Sequence, residues 1–271
     1  MGQINDFSDY EFAVNIENAT VCLNGKEVLH SINWQVKNGE RYFILGANGA
    51  GKTTLVKMLL GYIWTLYGAK VEILGKQLGK FDLNELRKSI AWVSPFIQKY
   101  LKSYDIGVDT VLSGQEGSLG FGRQATKEEL KKVEKLLVSL DAIHLANKSI
   151  CEMSSGEQMK ILIARALCLN PRLVILDEPT AFLDIKEREF FLKTLDKLIE
   201  SHPEITFIFI SQRVEDILPA FNKGMVLKDG KIMFSGAKEE FLTEDNLKKF
   251  FGIDVKLLNT QNGRIWSVVE A

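Results

Sequence analysis

The sequence predicts an α/β fold: a parallel sheet with flanking helices, an inserted helical subdomain and a short C-terminal β-hairpin. Three observations predict it. Short runs that are apolar on both faces alternate with longer helical patterns, as a parallel sheet covered by helices requires. The stretch 94–153 breaks that alternation and carries an amphipathic helix. Near the C-terminus two apolar runs flank the turn-rich NTQNG.

Arg41–Leu45 (RYFIL) reads as a buried strand, and Lys52 to about Leu60 as the helix after it. Ile90–Val93 (IAWV) is a further strand. Leu173–Leu176 (LVIL) and Thr206–Ile210 (TFIFI) have no polar face, the mark of central parallel strands. Tyr100 to Arg123 is Gly- and Ser-rich without clear strands. It leads into TKEELKKVEKLLVSL, which opens on a capping box, Thr126 with Glu129. Apolar residues then recur at Leu130, Val133, Leu137 and Leu140, the period of one helix face. Past Phe241 a charged helix should lead to a hairpin formed by FGIDVKLL and RIWSVV. The expected organisation is a core of 1–93 with 154–240, a helical insert 94–153 and a tail 241–271.

With 271 residues the chain can hold one large α/β domain and its insert. The net charge is −1, from 34 basic and 35 acidic side chains that are interspersed, which leaves no footprint for nucleic acid. Cys22, Cys151 and Cys168 are scattered, which argues against structural zinc or disulfides and fits a reducing cytoplasm. His30, His144 and His202 share no motif. No apolar run reaches the ~18 residues of a membrane span. The acidic opening MGQINDFSDYEF lacks the basic start and apolar centre of a signal peptide, so a cytoplasmic location is expected.

Three motifs carry chemistry. The first is GANGAGKT, Gly46–Thr53, which satisfies G-x-x-x-x-G-K-[ST] between a strand and a helix. Gly46, Gly49 and Gly51 permit backbone angles that turn N–H groups inward around a phosphate, with Ala47, Asn48 and Ala50 completing the loop. The helix opening on Lys52, Thr53 and Thr54 directs its positive end at the same anion. Lys52 supplies a mobile charge for the outer phosphates and Thr53 a hydroxyl for Mg²⁺. Roughly one chain in a hundred of this length would match by chance, and the strand–loop–helix context lowers that further. The sheet is therefore expected to be of the P-loop NTPase kind.

The second motif, LVILDEPT, ends a buried strand in Asp177 and Glu178. Ligands of open α/β folds bind at that carboxyl end. Asp177 is placed to partner Mg²⁺, and Glu178 to orient or deprotonate a water. The third, MSSGEQMKILIARAL, pairs Ser154 with Glu157 at capping-box spacing ahead of an apolar helix. By itself it is only a well-capped helix with an anion-friendly N-terminus.

These segments, in this order, resemble the ATPase subunit of ATP-binding cassette (ABC) systems. MSSGE is similar to the family signature written LSGGQ, with Ser155 for the first Gly and Glu157 for Gln. AFLD, ending in Asp184, is similar to the loop that follows DEPT in the family. The resemblance covers about Glu17 to Gly236. It implies a head-to-tail dimer closing on two Mg-ATP, each between the phosphate loop of one subunit and the signature helix of the other. Ser154, Ser155, Gly156 and Glu157 would then face a γ-phosphate presented by the partner. One copy of each motif implies a homodimer, or pairing with a similar subunit.

Three positions depart from the family pattern. The slot of an adenine-stacking aromatic holds Leu23. The metal-sensing glutamine expected just after IAWV is displaced to Gln98, in SPFIQ. Phe96, Ile97 and Tyr100 in this loop are candidate contacts for a membrane partner. The strand TFIFIS is followed by Gln212, where the family carries a histidine that contacts the γ-phosphate. A glutamine can donate through its amide but cannot become an imidazolium or relay a proton.

The expected activity is ATP hydrolysis that drives a separately encoded membrane permease. The subunit would sit at the inner face of the membrane through that partner. GVDTVLSGQEGSLGF and the tail resemble metal-chelate or molybdate-type importers. The alternative is a soluble ABC protein acting as a slowly hydrolysing ATP-gated switch, for which Gln212 is the main argument.

Overall fold

The computed structural model describes residues 10–101, 103–116, 122–260 and 262–269. Residues 1–9 of the acidic opening, 117–121 of GVDTVLSGQEGSLGF and Gln261 of NTQNG lie outside the described residues. The chain divides into two compact units, one formed up to Arg87 and again from Glu204, the other by Lys88–Pro203.

The first unit opens with β1 (Phe12–Leu23), β2 (Lys26–Lys37), β3 (Arg41–Leu45) and α1 (Lys52–Leu59). It continues through β4 (Lys70–Ile73), β5 (Lys76–Gln77) and α2 (Leu83–Arg87). β1, β2, β4 and β5 make an antiparallel sheet in the order β2-β1-β4-β5. In β2, Ile32, Trp34 and Val36 are buried while Ser31, Asn33 and Gln35 are exposed, the alternation of a sheet with one dry face.

The second unit holds β6 (Ile90–Val93), α3 (Pro95–Gln98), α4 (Gly107–Leu112), α5 (Lys127–Ser139), α6 (Ser155–Leu167), β7 (Leu173–Asp177) and α7 (Ile185–Ser201). β6 and β7 pair in parallel, Val93 opposite Leu176. The capping box of α5 forms, with Thr126 accepting from the Glu129 N–H. Val133, Leu137 and Leu140 are buried, but Leu130, expected on the same apolar face, is 42% exposed. It belongs to the first turn, which stands in solvent. The Gly-rich stretch after Tyr100 holds α4 and a short 3-10 turn, Ser113–Glu116. Its glycines serve close packing: a Cβ on Gly107 would lie 2.2 Å from the Leu145 carbonyl oxygen, and one on Gly114 2.4 Å from that of Arg165.

The chain returns to the first unit with β8 (Thr206–Ser211), β9 (Lys223–Lys228) and β10 (Lys231–Ala237), then α8 (Lys238–Phe241) and α9 (Glu244–Phe251). β3 lies between β8 and β9 and runs parallel to both. Every residue of β8 is buried. Phe43, Phe209 and Phe221 pack with ring centroids 5.5–6.0 Å apart and fill the core beside β3. The expected hairpin closes the chain as β11 (Val255–Asn259) paired with β12 (Ile265–Val269). Glu215 ties it down by accepting from the N–H and hydroxyl of Ser267. No helix among the described residues is long and apolar enough to cross a membrane.

Candidate nucleotide site

In the first unit the loop of Gly46–Gly51 follows β3 directly, and α1 follows the loop. Ala47, Asn48 and Gly49 are exposed, whereas Lys52 is 5% exposed. The Lys52 ammonium lies inside the loop, donating to the carbonyls of Gly46 (2.6 Å) and Ala47 (3.0 Å). A full positive charge therefore stands within a turn of backbone, at the helix end that already attracts anions. Thr53 is exposed and Thr54 half-buried on the first turn.

Gly49 (φ 81°) and Gly51 (φ 102°) take left-handed angles that cost a side chain about 1–2 kcal/mol. At Gly51 space is short as well, since a Cβ would lie 2.8 Å from a methyl of Leu29. The β9–β10 turn braces the loop from outside: the Gly230 N–H donates to the Ala50 carbonyl (3.0 Å) and its own carbonyl accepts from His30 (2.9 Å). Gly230 is a supporting residue that the motif pattern does not contain. A Cβ there would meet the Val28 carbonyl oxygen at 2.1 Å.

Gln212 stands beside this loop. β3 and β8 pair in register, Leu45 opposite Ser211. The next bond out is the Gly46 N–H donating to the Ser211 carbonyl at 3.1 Å. Gln212 thus leaves the sheet at the level where the phosphate loop begins. Its turn is held firmly: the Ser211 hydroxyl donates to buried Asp216 at 2.5 Å and accepts from the Arg213 N–H at 3.1 Å. Leu23 ends β1, paired with Lys26 across the Asn24–Gly25 turn, and is half-buried.

In the second unit β7 is buried throughout and delivers Asp177, 5% exposed, at its carboxyl end. Glu178 follows at φ 51°. A left-handed non-glycine residue immediately before a proline is strained, at about 1–3 kcal/mol, and such strain clusters at functional sites. Among the described residues no three His, Cys, Asp or Glu side chains gather to hold a metal. The buried Asp177 carboxylate is a hard-oxygen donor of the kind that suits Mg²⁺.

The signature segment starts α6 as the spacing requires. Ser154 is its N-cap, accepting from the Glu157 N–H, and Glu157 accepts from the Ser154 N–H at 2.9 Å. Ser155 is half-buried and Gly156 buried. Gln98, at the end of α3, donates its amide to the Ser155 carbonyl (3.0 Å), so the structure joins it to the signature helix. Its remaining amide oxygen is the atom a metal would take. Asp184 is exposed and caps α7, accepting from the Glu187 N–H at 2.8 Å.

Residues 29–181 match the ABC transporter family model. The ABC transporter ATP-binding protein YlmA of Bacillus subtilis (strain 168) is 36% identical over 250 residues, 92% of this chain and 94% of that protein. The manganese transport system ATP-binding protein MntB of the same strain is 31% identical over 245 residues, 89% and 93% of the two chains. Among solved structures, a metal-chelate type ABC transporter in an inward-facing conformation matches with a TM-score of 0.77. Its identity is 24% and the match covers 96% of this chain and 98% of that one.

Proposed function

Since the chain belongs to the ABC transporter family, as an ATP-binding and ATP-hydrolysing subunit, we propose that it drives import through a separately encoded membrane permease. It works as a head-to-tail homodimer, or paired with a similar subunit, at the inner face of the membrane. The core is 1–93 with 154–240, the insert 94–153 and the tail 241–271. The observation that carries the site assignment is the buried Lys52 ammonium within the glycine loop, with the Gln212 turn hydrogen-bonded to the loop's first residue.

Each residue then has a task. Apart from the N–H groups of Gly46 and Ala50, which donate to Ser211 and Ala47, the N–H groups of the loop up to Thr54 and the Lys52 ammonium bind the phosphates. Leu23 lies against the base and gives apolar contact without stacking. Thr53, Asp177 and Gln98 would hold Mg²⁺, which would neutralise charge on the phosphates. Glu178 orients a water in line with the γ-phosphate and takes its proton. Gln212 donates its amide to the γ-phosphate. From the partner subunit, the equivalents of Ser154, Ser155 and Gly156 close over that phosphate, the equivalent of Glu157 caps their helix, and the equivalent of Asp184 lies across the dimer.

Import is supported by a further relative, the spermidine/putrescine import ATP-binding protein PotA of Borreliella afzelii (strain PKo), 30% identical over 231 residues. The contrary behaviour, an ATP-gated switch with slow turnover and no permease, is favoured by Gln212 alone. Steady-state ATPase of the purified subunit, with and without the permease in liposomes, separates the two. A rate that rises with permease supports the importer. A low rate indifferent to it supports the switch.

A further inference from the structure

The helix that should receive the partner's γ-phosphate carries a carboxylate, Glu157, in its first turn. A negative charge there helps the helix itself but opposes an incoming triphosphate. Glu157 does not stand alone. Its Oε2 accepts from the Lys148 ammonium at 2.7 Å as well as from the Ser154 N–H, and its Oε1 lies 3.6 Å from His144 Nε2. Burial by itself would push the Glu157 carboxyl up. The Lys148 and Ser154 hydrogen bonds, with the charges of Lys148 and His144, outweigh this and hold it below the usual carboxylate range.

Lys148 is well placed for this task. Its N–H donates to the Leu145 carbonyl (3.1 Å) and its carbonyl accepts from the Gly107 N–H (3.1 Å), so the backbone that presents the ammonium is fixed on both sides. Gly107 can approach that closely because it has no Cβ. The ammonium and carboxylate are 32% and 26% exposed, shielded enough for the pair to persist and open enough to be felt by a ligand at the helix end.

We propose that Lys148 is a positioning residue of the ATP-bound dimer: it cancels the charge of Glu157, leaving the N-terminus of α6 free to accept the partner's γ-phosphate. The proposal rests on the assignment of Ser154 and that helix end to the partner's ATP. It assigns no phosphate contact to Lys148 itself.

The test is ATP-driven dimerisation, measured as the protein concentration at half-dimer in saturating Mg-ATP, with Glu178→Gln in every variant to stop turnover. Lys148→Met should raise that concentration on the order of tenfold, equivalent to about 1.4 kcal/mol, and Lys148→Arg should not. Glu157→Gln keeps the oxygen that accepts from Ser154 and should dimerise at least as well as the parent. The decisive variant is Lys148→Met with Glu157→Gln, which should return to within about twofold of Glu157→Gln alone. If the double variant stays as weak as Lys148→Met, the ammonium acts on something other than Glu157 and the proposal falls. It falls equally if Lys148→Met dimerises normally. Ser154→Asp tests the underlying assignment separately, because aspartate caps a helix as well as serine yet adds a charge facing the phosphate. Normal dimerisation of Ser154→Asp would remove the phosphate from that helix end. Loss of dimer in Ser154→Asp with an unaffected Lys148→Met would overturn only the role of Lys148.

Discussion

Replacing Gln212 with histidine should raise kcat for ATP hydrolysis by more than about threefold with little change in KM. The structure confines the change to one side chain. Ser211 is held by the Gly46 N–H at 3.1 Å, by Asp216 at 2.5 Å and by the Arg213 N–H at 3.1 Å, so the turn keeps its shape. A neutral hydrogen bond contributes a net of about 1 kcal/mol and one from a charged donor about 1.5–3 kcal/mol. If the extra ~1 kcal/mol appears as charge gathers on the γ-phosphate, the rate rises about fivefold. The gain needs the imidazolium. It should therefore be largest below about pH 6.5 and fade as the pH rises past the ordinary histidine value. Phosphate release between pH 6 and 8, at saturating and limiting Mg-ATP, reads both quantities. Gln212→Ala should fall below wild type. Equal kcat for wild type, Gln212→His and Gln212→Ala would show that the side chain does not reach the phosphate, despite its place beside the loop.

Lys52→Ala removes the charge inside the glycine loop, and titration calorimetry should show ATP affinity reduced at least about a hundredfold. Equal affinity would overturn the assignment of the loop. Gly230→Ala should lower stability by about 1–2 kcal/mol through its left-handed angle alone, and by more through the 2.1 Å approach to Val28. Because Gly230 braces Ala50, ATP binding should weaken along with Tm, and a melting temperature equal to wild type would contradict the close approach. Glu215→Ala takes away the acceptor of two Ser267 hydrogen bonds and should weaken the hold on the C-terminal hairpin by about 1–3 kcal/mol. Hydrogen exchange of 255–269 should then accelerate while β8 stays protected, and unchanged exchange would mean that the hairpin is held elsewhere.

The parallel strands were legible because β7 and β8 are buried on both faces and their polar residues, Asp177, Thr206 and Ser211, stand only at the strand ends. The capping boxes at Thr126 and Ser154 are local events of four residues, and they formed as spaced. The antiparallel sheet of β1, β2, β4 and β5 was missed although β2 alternates cleanly from Ser31 to Val36. Asn18 (φ 51°) and Ser31 (φ 44°) interrupt the strands with irregular residues that shift the register, so the period is legible only in pieces. α4 was hidden by Gly107 and Gly114, which resemble loop residues in sequence and are packing residues in space. The Asp229–Gly230 pair is a hairpin signal, but its bond to Ala50 joins residues far apart in the chain. The same holds for the candidate site: residue types and spacing mark Lys52, Asp177 and Glu178, whereas the Lys148–Glu157 pair and the Gly46–Ser211 bond depend on how the chain folds back.

The measurement that bears most directly on the working dimer is the mass of Glu178→Gln in solution with and without Mg-ATP. Glutamine keeps the shape of Glu178 but cannot take a proton from water, so a dimer closed on ATP should accumulate. Light scattering on a sizing column should give the mass of one chain without nucleotide and twice that mass with Mg-ATP, together with a near-complete loss of phosphate release. A variant that remains a monomer in Mg-ATP and still hydrolyses it at the wild-type rate would contradict both the dimer and the role of Glu178.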